Sequence, residues 1–254
     1  MTAPLFLVDP GVLDGLGVDD DVALTGSEAH HAATVVRLQT GEEVLVADRA
    51  GARVRTVAAS VASDLVSLRV TGRADEPAPS LRLTLVQALA KDGRDEDAVE
   101  AATELGVDGV IPWQADRSIV RWKGPKVDKG RRKWANVIER AAKQSRRGRW
   151  PDLGELVTTA TLAETCRRTG TTPFVLHEDA TTALAGVDLP ETGEILLVVG
   201  PEGGISPDER DLLVAAGARA VRLGPQILRA STAGPAAIAA ISTRTRWRSA
   251  GGHR

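Results

Sequence analysis

Residues 197 to 209 read LVVGPEGGISPDE. An apolar run ends at Gly200, Pro201, Glu202, Gly203 and Gly204. Glycines directly after a buried strand let the backbone approach a ligand closely. Ser206, Pro207, Asp208 and Glu209 follow. Ser as N-cap, Pro at the first helical position and Glu at the third make a capping box, which predicts a helix from here to Gly217. The loop lacks the Gly-Lys-Ser/Thr of a phosphate loop and the spacing of a dinucleotide fingerprint, and Ser206 lacks the glycines of a nucleophile elbow. Glu202 stands where open α/β sheets bind ligands, at the carboxyl end of a strand. It repels phosphate, so the loop suits a ligand that is uncharged or positive at that point. The competing reading is a solvated turn carboxylate.

Downstream, residues 221 to 242 read VRLGPQILRASTAGPAAIAAIS. This is again a strand, a Gly-Pro turn, then small residues opening a helix. Two such loops above neighbouring strands make a pocket walled by backbone N–H and C=O groups, able to read an adenine edge with main chain alone. Arg229 is the only charge between Gly224 and the helix. It reads either as a site residue or as half of a surface ion pair.

The rest of the second half fits one pattern. LRLTLVQAL (81–89), VDGVIPW (107–113), PFVLHED (173–179), EILLVVG (194–200) and RAVRLG (219–224) are apolar strands. Helices are predicted at 95–106, 126–146, after Ser206, and from about Thr232 to Trp247. Near-continuous apolar strands alternating with helices argue for an α/β fold with a parallel sheet covered on both faces. Residues 1–74 differ: their Val-rich segments alternate apolar with polar, as in a small β-rich barrel, with a short helix and turn within 26–42. RADEPAPS (73–80) marks the break. Two domains are therefore expected, 1–74 and 75–254.

Composition excludes several classes. The chain has 254 residues, 43% of them hydrophobic, one Cys and four His. Cys166 alone makes no internal disulfide, and the His spacing makes no zinc site. No apolar stretch approaches the ~20 residues of a membrane span. The N-terminus lacks the basic start and apolar segment of a signal peptide, so a cytoplasmic protein is the expectation. The net charge of −2 hides an asymmetry. Residues 121–149 hold twelve Lys and Arg against Asp128 and Glu139. Solvated helix faces usually mix signs. This run reads as a polyanion-binding surface, with a plain solvated face as the alternative.

Taken in order along the chain, these stretches resemble the SPOUT class of S-adenosylmethionine-dependent RNA methyltransferases, and within it the ribosomal small-subunit methyltransferase E family. GPEGG followed by Leu223, Gly224, Ile227, Leu228 and Arg229 carries the resemblance. So do Lys91, Arg94, Glu104 to Val107, Pro112, Arg117 and Ser118, the stretch ERAAKQSRRGRWP (139–151), and HHAATVVRLQTGEEVLVADRAG (30–51).

The resemblance implies a parallel sheet with a C-terminal trefoil knot, a PUA-like N-terminal RNA-binding domain, and a homodimer. It implies methylation of N3 of a uridine in 16S rRNA, on the assembled 30S subunit, with S-adenosylmethionine as cofactor and no metal. Leu176, His177, Gly200, Pro201, Glu202, Gly203, Gly204, Leu223, Gly224, Ile227, Leu228, Arg229, Thr232 and Ala233 are the expected cofactor-site residues. Arg229 and Glu202 are the candidate catalytic pair, with Glu178 or solvent as other proton acceptors. Arg37, Lys91, Arg94, Arg117, Arg121, Lys123, Arg140, Arg146, Arg147 and Arg149 are the expected RNA contacts. Two other classes stay open: a SPOUT enzyme acting on tRNA or a ribose hydroxyl, and an RNA-binding protein without activity.

Overall fold

The computed structural model describes residues 3–247 and divides into two compact units. The smaller comprises Met1–Ala78 and Ala142–Trp150, the larger Pro79–Ala141 and Pro151–Arg254. The smaller unit thus takes in a segment of the second half that the sequence pattern assigns to the other domain.

The small unit is a curled five-stranded sheet. Its strands are β1 (Leu5–Leu7), β2 (Asp21–Thr25), β3 (Glu43–Ala47), β4 (Arg53–Val61) and β5 (Leu65–Arg73), in the order β1-β3-β4-β5-β2. Alternation explains the core. Val22, Leu24, Val44, Val46, Val54, Val66, Leu68 and Val70 all point inward and meet Phe6 and Leu13. Each such side chain contributes about 1.5–3 kcal/mol when fully buried. Helix α1 (Gly26–His30) runs into a π-helical turn, His31–Val36, which ends at Arg37 in the left-handed region. The 142–150 segment is tied in by polar contacts. Lys143 Nζ meets Glu28 Oε1 at 2.8 Å, and Gly148 N and Arg149 N donate to Glu76 Oε2 at 2.7 and 3.1 Å.

The larger unit holds six parallel strands: β6 (Leu81–Ala88), β7 (Gly109–Trp113), β8 (Asp152–Leu153), β9 (Thr171–Leu176), β10 (Gly193–Val199) and β11 (Arg219–Val221), in the order β11-β9-β10-β6-β7-β8. The chain builds outward from β6 to β8, then returns to lay β9 two places away and slots β10 between them. Its helices are α2 (Arg94–Glu104), α3 (Pro125–Gln144), α4 (Thr159–Cys166), α5 (Pro207–Ala215) and α6 (Ala230–Arg244).

Both faces of β10 are buried, as its unbroken apolar run requires. Leu196 and Val198 join the core beneath α4 and α5 with Leu162, Cys166 and Leu213. Val199 faces α6 instead. There a Cβ on Gly234 would fall 2.7 Å from Leu85 Cδ1 and 3.5 Å from Val199 Cγ2, so only glycine lets the helix lie this close to the sheet. The capping box before α5 is present, with Ser206 Oγ accepting from Glu209 N and Glu209 Oε2 accepting from Ser206 N. One strand is shorter than its pattern suggests. Residues 222–224 leave the sheet because Arg222 pairs its N–H with Thr182 O and its carbonyl with Leu184 N, at 2.9 and 2.8 Å.

Candidate functional site

Three parallel strands end side by side. β9 ends at Leu176, followed by His177 and Glu178; beyond β10 come Gly200 to Gly204; beyond β11 come Leu223 and Gly224. The turn 225–229 then leads to the N-terminus of α6. These segments enclose a cleft of about 550 Å³ and a narrower lobe of about 70 Å³, which share Leu176, His177, Glu178, Ile227, Leu228 and Ala233. Gly200–Gly204 and Arg229 line the larger lobe, and Leu223 and Gly224 the smaller. Of the expected cofactor-site residues only Thr232 lines neither, because it sits on the exposed side of α6's first turn. Asp179, Arg210 and Gln226 also line the cleft and carry no signal in the sequence beyond their neighbours.

Glu202 is held from one side. Its Oε1 accepts from Lys91 N at 3.3 Å and from the Arg94 guanidinium at 3.2 Å. Its Oε2 is buried and has no hydrogen-bond partner among the described residues. A buried acceptor without a donor costs free energy comparable to a missing hydrogen bond. The carboxylate is therefore fixed by the loop that leads into α2 and keeps one oxygen for a further donor. It is not a solvated turn residue, since its side chain is 18% exposed.

Gly203 has a different job from the one its position suggests. A Cβ there would lie 3.1 Å from Arg117 Cβ and 3.3 Å from the Arg117 carbonyl oxygen. The missing side chain makes room for the loop after β7. Arg117 Nη1 in turn donates to Gly203 O at 3.1 Å. Gly204 follows with φ +72°, a left-handed conformation that favours glycine.

Arg229 is exposed, lines the cleft, and has no side-chain partner among the described residues. It is not half of an ion pair. His177 Nδ1 accepts from Asp179 N at 3.2 Å, which orients the ring and assigns the proton of the neutral form to Nε2. Asp95, which the sequence pattern does not single out, lies behind this face. It is 4% exposed, and accepts from Ala90 N and Glu96 N at 3.3 and 3.0 Å. Burial pushes its carboxyl up to about 6. Cys166 is buried, and desolvation raises its thiol to about 11, which makes it a poor nucleophile. No His, Cys, Asp or Glu cluster suited to a metal occurs among the described residues. No helix among them is long and apolar enough to cross a membrane.

The expected RNA-contacting cations separate into two groups. Lys91, Arg117, Arg121, Lys123 and Arg140 are exposed in the large unit, and Arg37 is exposed in the small one. Arg94 is engaged with Glu202. Arg146, Arg147 and Arg149 differ. Arg147 is 8% exposed. Arg149 Nε donates to Glu76 O at 3.3 Å, and the Arg146 carbonyl accepts from Arg53 Nη1 at 3.1 Å. Arg147 and Arg149 are thus engaged within the small unit, and a phosphate-binding role for 146–149 stands as a proposal. Among the described residues, the exposed cations of the run without a hydrogen-bond or ion-pair partner are Lys123 before α3 and Lys126, Lys129, Arg132 and Arg140 on it, while Arg131 and Lys133 are paired with Glu155 and Glu96.

Known proteins resemble this chain in both sequence and fold. The family described as "RNA methyltransferase domain" matches residues 76–242. The chain is 42% identical over 251 residues to the ribosomal RNA small subunit methyltransferase E of Mycobacterium bovis, covering 97% of this chain and 94% of that protein. It is 29% identical to the protein of the same name from Bacillus subtilis, covering 88% and 90%. The crystal structure of a ribosomal RNA small subunit methyltransferase E from Neisseria gonorrhoeae bound to S-adenosyl methionine superposes with a TM-score of 0.83. The two chains are 25% identical, with 96% of this chain and 98% of that one covered.

Proposed function

Because the chain belongs to the RNA methyltransferase family, in the group of ribosomal RNA small subunit methyltransferase E, we propose that it methylates N3 of one uridine in 16S rRNA within the 30S subunit, using S-adenosylmethionine. The observation that carries this reading is the convergence of the two glycine loops on one cleft, within the residues the family matches.

The cleft suits the cofactor. Gly200, Gly203 and Gly204 leave backbone open along one wall, and its volume of about 550 Å³ is in the range of small-molecule sites. The unpartnered Oε2 of Glu202 favours a ligand with a cationic or donor group. S-adenosylmethionine, when bound, supplies a methyl carbon activated by a sulfonium. The residues of this chain do the rest. The loops position the uracil nitrogen in line with that carbon, and positioning supplies much of the rate. Glu202 or Glu178 accepts the N3 proton, with solvent as the alternative acceptor. Arg229, exposed and unpaired at the cleft, donates to the uracil oxygen on which negative charge grows.

The same reading gives the small unit a PUA-like RNA-binding role and the large unit a C-terminal trefoil knot. It makes the protein a cytoplasmic homodimer. The dimer rests on the family alone, because Ala237, Ile238 and Ile241 of α6 are buried in their own unit. Sedimentation at micromolar concentration tests it against a 26.7 kDa monomer.

The test of function uses labelled cofactor with unmodified small subunits, and separately with free rRNA and tRNA. The product nucleoside is then identified by mass. N3-methyluridine from small-subunit rRNA is the expected result. Methylated ribose, or transfer to tRNA alone, would contradict it. Arg229→Ala should lower turnover about a hundredfold, in the range for removing one charge-stabilising donor, and lower cofactor affinity by much less.

A further inference from the structure

The loop joining β7 to α3 carries Ile119, which is 70% exposed. A single exposed aliphatic residue is ordinary in itself. This one stands on a loop that is anchored around it. Arg117 Nη1 donates to Gly203 O at 3.1 Å, and Ser118 is buried. Trp122 N donates to Gln114 Oε1 at 2.9 Å. The Trp122 indole fills the notch left by the missing side chain of Gly130 and meets Trp134 edge to face, with ring centroids 5.5 Å apart. Ile119 is therefore presented by a braced loop, and its β-branched side chain has little χ1 freedom to lose.

Its surroundings point to one kind of partner. Arg117, Arg121 and Lys123 are exposed on the same short loop. Protein interfaces deplete charge around a central apolar anchor. An apolar tip among cations matches nucleic acid instead, where the cations meet phosphate and the tip meets base faces. The position is also informative. Arg117 lines the cleft, and Ile119 is two residues on, at most about 7 Å of chain away.

We propose that Ile119 is a wedge that enters the RNA base stack at the place left by the target uridine while that base occupies the cleft. The proposal rests on the reading of the protein as an RNA methyltransferase. A base inside a stack cannot reach the cleft until it is extruded, and unstacking it is costly. Apolar side chains inserted between bases offset that cost in other nucleic-acid complexes. Ile119 would thus be a positioning residue: it touches neither cofactor nor reacting atoms.

Single-turnover transfer to unmodified small subunits, at saturating enzyme and labelled S-adenosylmethionine, tests it with wild type, Ile119→Ser, Ile119→Ala and Ile119→Leu. The Ser and Ala variants should slow transfer about tenfold or more, while Leu stays within about threefold of wild type. Cofactor affinity by calorimetry and the sedimentation coefficient should not change. An Ile119→Ser variant as fast as wild type would overturn the wedge. So would a slowing that comes with altered sedimentation, which would assign the residue to a contact with a second copy, or with weakened cofactor binding. A wild-type enzyme that methylates no uridine would instead overturn the underlying reading, and the wedge with it.

Discussion

Gly200–Gly204 and Arg146–Arg149 are both short stretches with glycine and charge, and they end in opposite roles. The first surrounds space. Gly203 clears room for the Arg117 loop, and the one charged residue, Glu202, keeps an oxygen without a partner among the described residues. The second is spent on ties, with Gly148 and Arg149 bound to Glu76 and Arg147 buried. A charged group available to a ligand is one that its own fold leaves incompletely satisfied. Charge density along the sequence does not report that. Partner geometry does.

The two stretches part most visibly at Gly203. Gly203→Val should abolish measurable binding of S-adenosylmethionine by calorimetry, because a β-branched side chain there presses on both the side chain and the backbone of Arg117 beside the cleft. Overpacking of this kind costs about 1–3 kcal/mol, so the circular dichroism spectrum should remain that of a folded protein. Retained affinity would mean that the loop yields, and that its glycines are not what shapes the cleft.

The opposite result is expected from Arg147→Ala. Removing a buried charge whose surroundings are built for it costs about 3–5 kcal/mol. Chemical denaturation should show that loss in the transition of the small unit, with cofactor affinity unchanged. A variant as stable as wild type but weaker on RNA would return Arg147 to the binding surface.

Asp95 tests how far the loop around Glu202 depends on a buried acid. Its folded pKa, about 6, is raised from 3.8 by desolvation. A raised folded value means that its favourable contribution is complete below pH ~4 and is lost as pH rises through ~6. Asp95→Asn should therefore gain on wild type between pH 4 and 7, by at most about 3 kcal/mol at 1.4 kcal/mol per unit. A stability difference that stays flat across this window would show that the carboxyl is not desolvated.

Much of this was legible in the sequence. The parallel strands announced themselves because burial on both faces demands unbroken apolar runs, and the start of α5 because Ser206 and Glu209 form a local cap. The cleft residues followed from where those strands stop. Other features depend on contacts that local pattern does not carry. Helix α4, TATLAETC, has three threonines and a weak apolar stripe. The π-helical turn at His31–Val36 has no periodic signature. The carboxylate that receives Gly148 and Arg149 lies more than seventy residues upstream, at Glu76. For the same reason a fragment of residues 75–254 would strip 142–150 of its partners.

The smallest effect expected is on α3. Replacing Lys126, Lys129 and Arg132 by Ala should lower the slope of log affinity against log salt by about 0.7 to 0.9 for each phosphate that is no longer neutralised. The same replacement at Arg149 should leave the slope alone. A steeper dependence on Arg149 than on the α3 cations would reverse the division drawn between the two halves of the basic run.

Hydrogen–deuterium exchange on the full chain, with and without saturating S-adenosylmethionine, tests the central claim most directly. Residues 200–204 and 223–229 should become protected together, with 176–178 alongside them. Residues 43–61 and 146–149 should exchange as before. Protection centred on the small unit, or none at all at saturating cofactor, would contradict the assignment of the cleft.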